Sequence, residues 1–535
     1  MGDANLVLIG FMGSGKSTVG RLVAEAAGLA FLDTDEEIER RTGRPVRAIF
    51  ADQGEEEFRR VEAEVVAEAA ARRGQVIATG GGVVLREGNL EALRRTGLVV
   101  ALTARTDALW ERVGASDRPL LAVDQPLQRF EELLRLRAPL YARADVVVDT
   151  TDLDPREVAA TVTGHWRLAT AAGRVEVRLD ERGYVVYVGA GLLESVGAAA
   201  QMAAGGDRVA LVTDPVVDGL YGETVRQALR AARRQVVTLV VPEGEAAKQL
   251  GVVEELYHRA LAAGLERDDL VVALGGGAVG DAAGFFAATY LRGLAFLQVP
   301  TTLLAQIDSS VGGKVGVNLP LGKNLVGAFH QPRAVIADPS VLRTLSLREF
   351  RSGLAEVIKH GVLADPELFA RLEQWPPLEA QASAWPSDDE LAEAVRAAVA
   401  VKAAVVAVDE REAGPRMTLN LGHTAGHAVE AVTGFGPVRH GEAVAYGMAV
   451  AARLAQRLGL CPEKEAGRIV SLLARFGLPT RREELAAPAG VEDILRALSR
   501  DKKVRRSRVR WVLPRGIGEV TVTDEVPEPL VQECL

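Results

Sequence analysis

Between residues 5 and 164, short apolar runs alternate with stretches whose apolar positions recur every three or four residues. "NLVLIG", "FLDTD", "QVIATGGGVVL", "GLVVALT" and "ADVVVD" have the first character, and "TVGRLVAEAAG" has the second. Strand, Gly-rich loop, helix and strand in that order predict a parallel sheet wrapped by helices. "DTTDLDPREVAATVTG" adds an Asp-Pro helix start and closes this α/β domain, 1–164, at Gly164. "HWRLATAAGR", 165–174, lacks clear periodicity and reads as a linker. "VEVRLDERGYVVYVGAGLLESV" then alternates apolar and polar residues as a half-buried strand should. "RVALVTD", "QVVTLVVP" and "DLVVALGGG" continue the strand and helix pattern, and after 345 the chain becomes Ala-, Leu- and Glu-rich with helical spacing until "RVRWVLPRGIGEV". A second α/β domain over 175–345 and a helical domain over 346–535 follow.

A chain of 535 residues exceeds what one hydrophobic core usually supports, in keeping with two or three domains. The net charge of −9 gives no basic field and argues against nucleic acid as a partner. Cys461 and Cys534 are too few and too far apart in sequence for a zinc quartet or a disulfide framework, so they are expected to be reduced and structural. No uninterrupted apolar stretch is long enough to span a bilayer, and the N-terminus lacks a long apolar leader segment. The expectation is a soluble cytoplasmic protein with no membrane partner.

"GFMGSGKS" fits G-x-x-x-x-G-K-[ST], and it follows a predicted strand and opens a predicted helix. Backbone N–H groups over Gly13, Ser14, Gly15, Lys16, Ser17 and Thr18 would cradle phosphate oxygens, with Lys16 adding a mobile charge and Ser17 a magnesium ligand. Asp33 and Asp35 in "LDTD" fall at a strand end, on one pleat face, where α/β ligand sites open. Asp33 is a candidate magnesium ligand and Asp35 a candidate base for an alcohol; equally, both could cap the helix that begins at "EEIERR".

Residues 5–160 resemble shikimate kinase, of the nucleoside-monophosphate-kinase-like class. The resemblance is carried by the phosphate loop, "EEEFRRVE", "TGGG", "DRPLL" and "RLRAPLYARAD". It implies Arg59 and Arg137 as shikimate-carboxylate ligands, Gly80, Gly81 and Gly82 as a substrate loop, and Arg118 as a lid arginine. ATP with Mg2+ is the implied donor, and arginine forks suit an acceptor that carries one carboxylate.

"LGGGAVGD", 274–281, contains G-x-G-x-x-G after a strand, but the acid expected about twenty residues later is missing. Asp214, ending "VALVTD", is the upstream alternative for a ribose. "LNLGHTAGHAVE" places His423 and His427 four apart with helical spacing, which by itself fits a metal site or two core histidines. Five of the seven histidines lie between His330 and His440, near "GLAEVIKH" with Glu356 and Lys359.

These stretches, with "PTTLLAQIDSSVGGKVGVNLPLGKN", resemble 3-dehydroquinate synthase over nearly all of 175–520. The resemblance implies Glu356, His423 and His440 as ligands of Zn2+ (or Co2+), and His427 as an acid/base or substrate-orienting group in the same pocket. It implies NAD+ held by Asp214, Glu245, Lys248, Gly277, Ala278, Val279, Gly280, Asp281, Thr301, Thr302, Asp308 and Lys323. Lys314 and Lys359 would be catalytic. Arg292, Asn324, Lys402, Arg416, Asn420 and one or both of Lys502 and Lys503 would bind a heptulosonate phosphate. A carboxylate with two imidazoles leaves coordination positions open, as a catalytic zinc requires.

The expectation is a P-loop kinase domain fused to a Rossmann-like α/β domain and a helical metal-binding domain, acting on shikimate, ATP and a heptulosonate phosphate. A polyol dehydrogenase or another sugar-phosphate cyclase is the rival for the second half. A homodimer through that half is implied, and the two halves, as fragments 1–166 and 171–535, are expected to fold and work apart.

Overall fold

A computed structural model describes residues 4–114, 119–320, 322–412, 414–434, 436–505 and 509–535. The chain divides into two compact units. One comprises Met1–Ala172 with Glu194–Met202 and Thr224–Gln235; the other comprises Gly173–Leu193, Ala203–Glu223 and Val236–Leu535.

The first unit is built on β1 (Asn5–Gly10), β2 (Ala30–Asp33), β3 (Gln75–Ala78), β4 (Gly97–Thr103) and β5 (Val146–Asp149). They form a wholly parallel sheet in the order β2-β3-β1-β4-β5. Alternation along the strands divides its core into two layers. Leu6, Leu8, Val100 and Leu102 face one cluster with Val19, Val158 and Trp166, while Val7, Ile9, Val99 and Ala101 face another with Val66, Phe130 and Leu133. Each fully buried Val or Leu contributes about 1.5–3 kcal/mol, so the sheet holds the phosphate loop on a rigid base.

Two local readings change. Strand β2 ends at Asp33 and a helix starts at Thr34, so Asp35 lies in a first helical turn and not on the pleat face of Asp33. The helix Pro155–Thr170, opened by an Asp154–Glu157 capping box, runs through the stretch read as linker. Its end stays helical because Trp166 and Leu168 are buried, and packing outweighs weak periodicity. Its other face meets the later segments of the same unit: Thr161 Oγ1 donates to Ala231 O at 3.0 Å and His165 Nε2 lies 2.8 Å from Gln201 Oε1.

The second unit contains β6 (Gly173–Val177), β7 (Tyr184–Val188), β8 (Arg208–Thr213), β9 (Gln235–Val240), β10 (Leu270–Gly275), β11 (Ala295–Pro300), the hairpin β12 (Lys314–Leu319) and β13 (Gly322–Phe329), and β14 (Ala334–Ala337). The seven-stranded sheet runs β6-β7-β14-β11-β10-β8-β9. "VEVRLDERGYVVYV" is therefore two antiparallel strands, β6 and β7. Helices Leu347–Ala364, Asp388–Val408, His423–Val432 and His440–Arg457 follow, and a last hairpin of β15 (Trp511–Gly516) and β16 (Glu519–Thr523) shares their core.

Candidate active sites

In the first unit the loop after β1 turns through Gly13 at φ 82°, where a Cβ would stand 2.7 Å from Leu109 O. Only glycine fits such a turn without strain. The helix Lys16–Ala27 starts directly behind it, so the N–H groups of Gly15 to Thr18 belong to a helix N-terminus. Lys16 Nζ donates to Gly10 O (2.9 Å) and Phe11 O (3.0 Å), which holds the ammonium over the loop. Ser17 Oγ donates to Asp33 Oδ2 at 2.6 Å, while Asp33 Oδ1 accepts from Asp35 N at 2.9 Å. Asp33 is thus both a helix cap and a partner of Ser17, and the two readings of it are compatible.

A cavity of about 240 Å³ opens beside this loop, lined by Asp35, Arg59, Gly80, Gly81, Gly82 and Arg137 among others. Arg59 and Arg137 are 9% and 5% exposed, too buried for solvated surface charges. Arg59 Nη1 donates to Glu62 Oε2 at 2.7 Å, and Arg137 Nη1 to Gly81 O at 3.4 Å. The glycines give room: a Cβ at Gly80 would stand 2.6 Å from Asp35 Oδ1, and one at Gly82 would strike the Arg59 guanidinium. Glu62 is fully buried, with Oε1 lacking a hydrogen-bond partner. Burial pushes its carboxyl up against the opposing pull of Arg59, and nearby Asp35 pushes the same way. Sequence reading missed Glu62; its signal is the i, i+3 spacing to Arg59. Arg118 lies outside the described residues.

In the second unit three helices bring one side chain each to a single point. Glu356 comes from the middle of Leu347–Ala364, and His423 and His440 are the first residues of their helices. Glu356 Oε1 lies 3.6 Å from His423 Nε2 and 3.4 Å from His440 Nε2. All three ligand atoms fall within 4.8 Å of one another. Glu356 is fully buried, its Oε2 pairs with Lys359 Nζ, and neither oxygen has a hydrogen bond of good geometry. Burial disfavours the Glu356 carboxylate, yet Lys359 and the two histidines hold it well below the usual range. Burial, then Lys359, push His423 down to about 3, so this imidazole is neutral. Burial also works against a charged His440, but Glu356 and Glu430 overcome it and raise it to about 10. His423 Nδ1 lies 3.2 Å from Leu421 O, which leaves Nε2 for a metal. The donor set and its open lone pairs fit Zn2+ or Co2+.

His427 is exposed, its ring 5.2 Å from that of His423, and it is not one of the Glu356, His423 and His440 group. His427, Glu430 and His440 form a second group whose ligand atoms also lie within 4.8 Å of one another. Sequence reading passed over Glu430, the last residue of "GHAVE".

Around this point Lys359 and Lys402 are buried, and Lys402 Nζ donates to Asp308 O at 2.6 Å and pairs with its carboxylate. Burial opposes the Asp308 carboxylate, but Lys402 and Lys359 hold it ionised. Arg416 is buried, and Asn420 ends the same short helical turn, Pro415–Asn420. Lys314 pairs with Glu412.

At the carboxyl ends of the strands, Asp214 caps the turn after β8 by accepting from Val216 N and Val217 N at 3.0 Å through Oδ1. The helix Gly277–Thr289 starts after β10 and carries Ala278, Val279, Gly280 and Asp281 in its first turns. Lys248 Nζ donates to Asp281 Oδ2 at 2.6 Å and to Asn324 Oδ1. Burial raises Asp281 to about 6 despite Lys248. Asn324, expected at the substrate, lies beside Lys248, held at φ 55° in the β13 strand that also carries Lys323. Glu245 accepts from Asn318 at 2.6 Å, and Thr301 and Thr302 follow β11. Arg292 is exposed in a left-handed turn, with no described bond to the cluster. The side chains of Lys502 and Lys503, in the helix Val491–Arg505, lie outside the described residues.

The shikimate kinase family matches residues 12–166, and the N-terminal and C-terminal families of 3-dehydroquinate synthase match 238–352 and 353–504. The 3-dehydroquinate synthase of Nostoc punctiforme is 47% identical over 363 residues, covering 68% of this chain and 98% of the relative. That of Acidithiobacillus ferrooxidans is 48% identical over 359 residues, covering 67% and 96%. Among solved structures, a 2-deoxy-scyllo-inosose synthase complexed with carbaglucose-6-phosphate, NAD+ and Co2+ aligns with TM-score 0.60 at 28% identity, covering 68% of this chain and 98% of its own. A 2-epi-5-epi-valiolone synthase from Streptomyces hygroscopicus with NAD+ and Zn2+ bound aligns with TM-score 0.58 at 30% identity, covering 67% and 97%.

Proposed function

We propose that this chain, which belongs to the 3-dehydroquinate synthase family and carries a shikimate kinase domain ahead of it, runs both reactions from the two clusters described above. It is a bifunctional enzyme of the aromatic pathway: a transferase that phosphorylates shikimate from ATP, and a lyase that converts 3-deoxy-D-arabino-heptulosonate 7-phosphate to 3-dehydroquinate and phosphate.

In the kinase, backbone N–H groups of Gly13 to Thr18 hold the nucleotide phosphates, and Lys16 follows the transferring phosphoryl group. Ser17 and Asp33, already 2.6 Å apart, would share Mg2+. Asp35 takes the proton of the acceptor hydroxyl. Arg59 and Arg137 fork the shikimate carboxylate over the Gly80–Gly82 loop, and Arg118 serves the lid.

In the synthase, Glu356, His423 and His440 would hold Zn2+ or Co2+. Asp214 and the Lys248–Asp281 pair beside the Gly277 helix would hold NAD+, with Asp214 Oδ2 left for a ribose. When bound, NAD+ supplies a reversible hydride acceptor and the metal a Lewis acid. Lys314, Lys359, Lys402, Arg416 and Asn420 orient a substrate charged at both ends, and His427 moves or orients its proton from the pocket rim. The observation that carries the reading is the convergence of one carboxylate and two imidazole Nε2 atoms beside buried lysines. Phosphate release from the heptulosonate phosphate, without net NADH, should stop with a chelator and return with Zn2+ or Co2+. Release that survives complete metal removal refutes it.

Identity of 47% to a 3-dehydroquinate synthase, against 28% and 30% to the two other cyclases, favours this substrate over theirs. The reading extends to an NAD-binding region over 175–345, a metal- and substrate-binding region over 346–535, and a cytoplasmic homodimer through the synthase half, which light scattering on the full chain tests.

A further inference from the structure

His440 has a carboxylate beside each ring nitrogen. Nε2 lies 3.4 Å from Glu356 Oε1, and Nδ1 lies 3.4 Å from Glu430 Oε2. Glu430 is 7% exposed and sits two turns after His423 on the helix His423–Val432, so its carboxylate reaches His440 from behind the ligand cluster. An imidazole can offer Nε2 to a metal only when the neutral ring carries its proton on Nδ1. His423 has that proton fixed by Leu421 O. His440 begins its own helix and has a carboxylate in the equivalent place.

We propose that Glu430 is a positioning residue for the metal centre, accepting the Nδ1–H of His440 and thereby fixing the tautomer and ring orientation that aim Nε2 at Glu356. The inference rests on His440 being a metal ligand. The competing assignment, Glu430 as a ligand of a second ion with His427 and His440, would require His440 to give up both ring protons, which is far costlier than one. A carboxylate behind a metal-bound histidine raises its basicity and typically supports metal affinity by 10- to 100-fold.

The test uses the metal-stripped full chain titrated with Co2+ against a competing chelator, reading stoichiometry, affinity and the visible Co2+ absorption. One Co2+ per chain is expected throughout. Glu430→Ala should bind it about 10- to 100-fold more weakly with altered absorption bands, and Glu430→Gln, whose amide oxygen still accepts Nδ1–H but without the charge, should bind more tightly than Glu430→Ala and keep the wild-type bands. Equal affinity in Glu430→Ala and wild type overturns the proposal. Two Co2+ in wild type falling to one in Glu430→Ala also overturns it and makes Glu430 a ligand. Full binding by His440→Ala would instead remove the ligand assignment underneath, a distinguishable failure. Should Glu430→Ala not fold, imidazole 15N resonances of the zinc-loaded wild type decide: a proton on Nδ1 of His440 supports the proposal, and one on Nε2 defeats it.

Discussion

Arg59→Ala separates binding from architecture in the kinase site. The Arg59 side chain is 11% exposed and that of its partner Glu62 is 1% exposed, joined by a 2.7 Å bond. Removing one member of a buried pair costs about 3–5 kcal/mol, because the other is left uncompensated. Losing a charge-assisted contact to the shikimate carboxylate costs about 1.5–3 kcal/mol, roughly a 10- to 150-fold rise in KM. The two effects are separable. Glu62→Gln added to Arg59→Ala removes the stranded carboxylate, so the double variant should recover most of the thermal stability while KM for shikimate stays high and KM for ATP stays near wild type. Calorimetry of the full chain gives the first quantity and coupled ADP assays the second. If Glu62→Gln restores shikimate affinity to the Arg59→Ala background, Arg59 acts only by balancing Glu62, and its assignment as a carboxylate ligand is refuted.

His423→Ala should lose bound metal and synthase turnover together, with shikimate phosphorylation retained, whereas His427→Ala should lose rate with metal still present by elemental analysis. Lys16→Met should lower phosphoryl transfer by at least about 10²- to 10³-fold and spare phosphate release from the heptulosonate phosphate. His440 is raised to about 10 without metal, so below that pH binding must expel its proton. Metal affinity should therefore fall as pH falls, about tenfold per unit, and a pH-independent affinity would exclude His440 as a ligand. A fragment 1–172 lacks Glu194–Met202 and Thr224–Gln235, which belong to the same unit, and leaves the helix face of Thr161 and His165 uncovered. It should melt below the corresponding transition of the full chain, and an unchanged transition would support the expectation of independent halves.

What could be read from the chain and what could not divide along a physical line. The phosphate loop is legible because local backbone geometry demands its residues: positive φ at Gly13, and a helix N-terminus at Lys16. The two arginines and the Glu356, His423 and His440 set were expected through resemblance, since separate helices supply the three candidate ligands. Asp33 shows the limit of choosing between a cap and a ligand, because its two oxygens serve different partners. Glu430 could not be found by pattern, and Glu62 only through its i, i+3 spacing to Arg59. Each is a glutamate in a helix, a residue that ordinarily signals a solvated face, and only the fold shows that both are buried. The helix through residues 165–170 was missed because those residues alone are too short to show a period, and the burial of Trp166 and Leu168 continues the helix from Pro155. Burial that comes from a distant segment leaves no local signature, so supporting carboxylates are the residues a motif omits. Their chemical effect is nonetheless large, since in a site shielded from water one carboxylate decides whether an arginine is held in place or an imidazole presents the correct nitrogen.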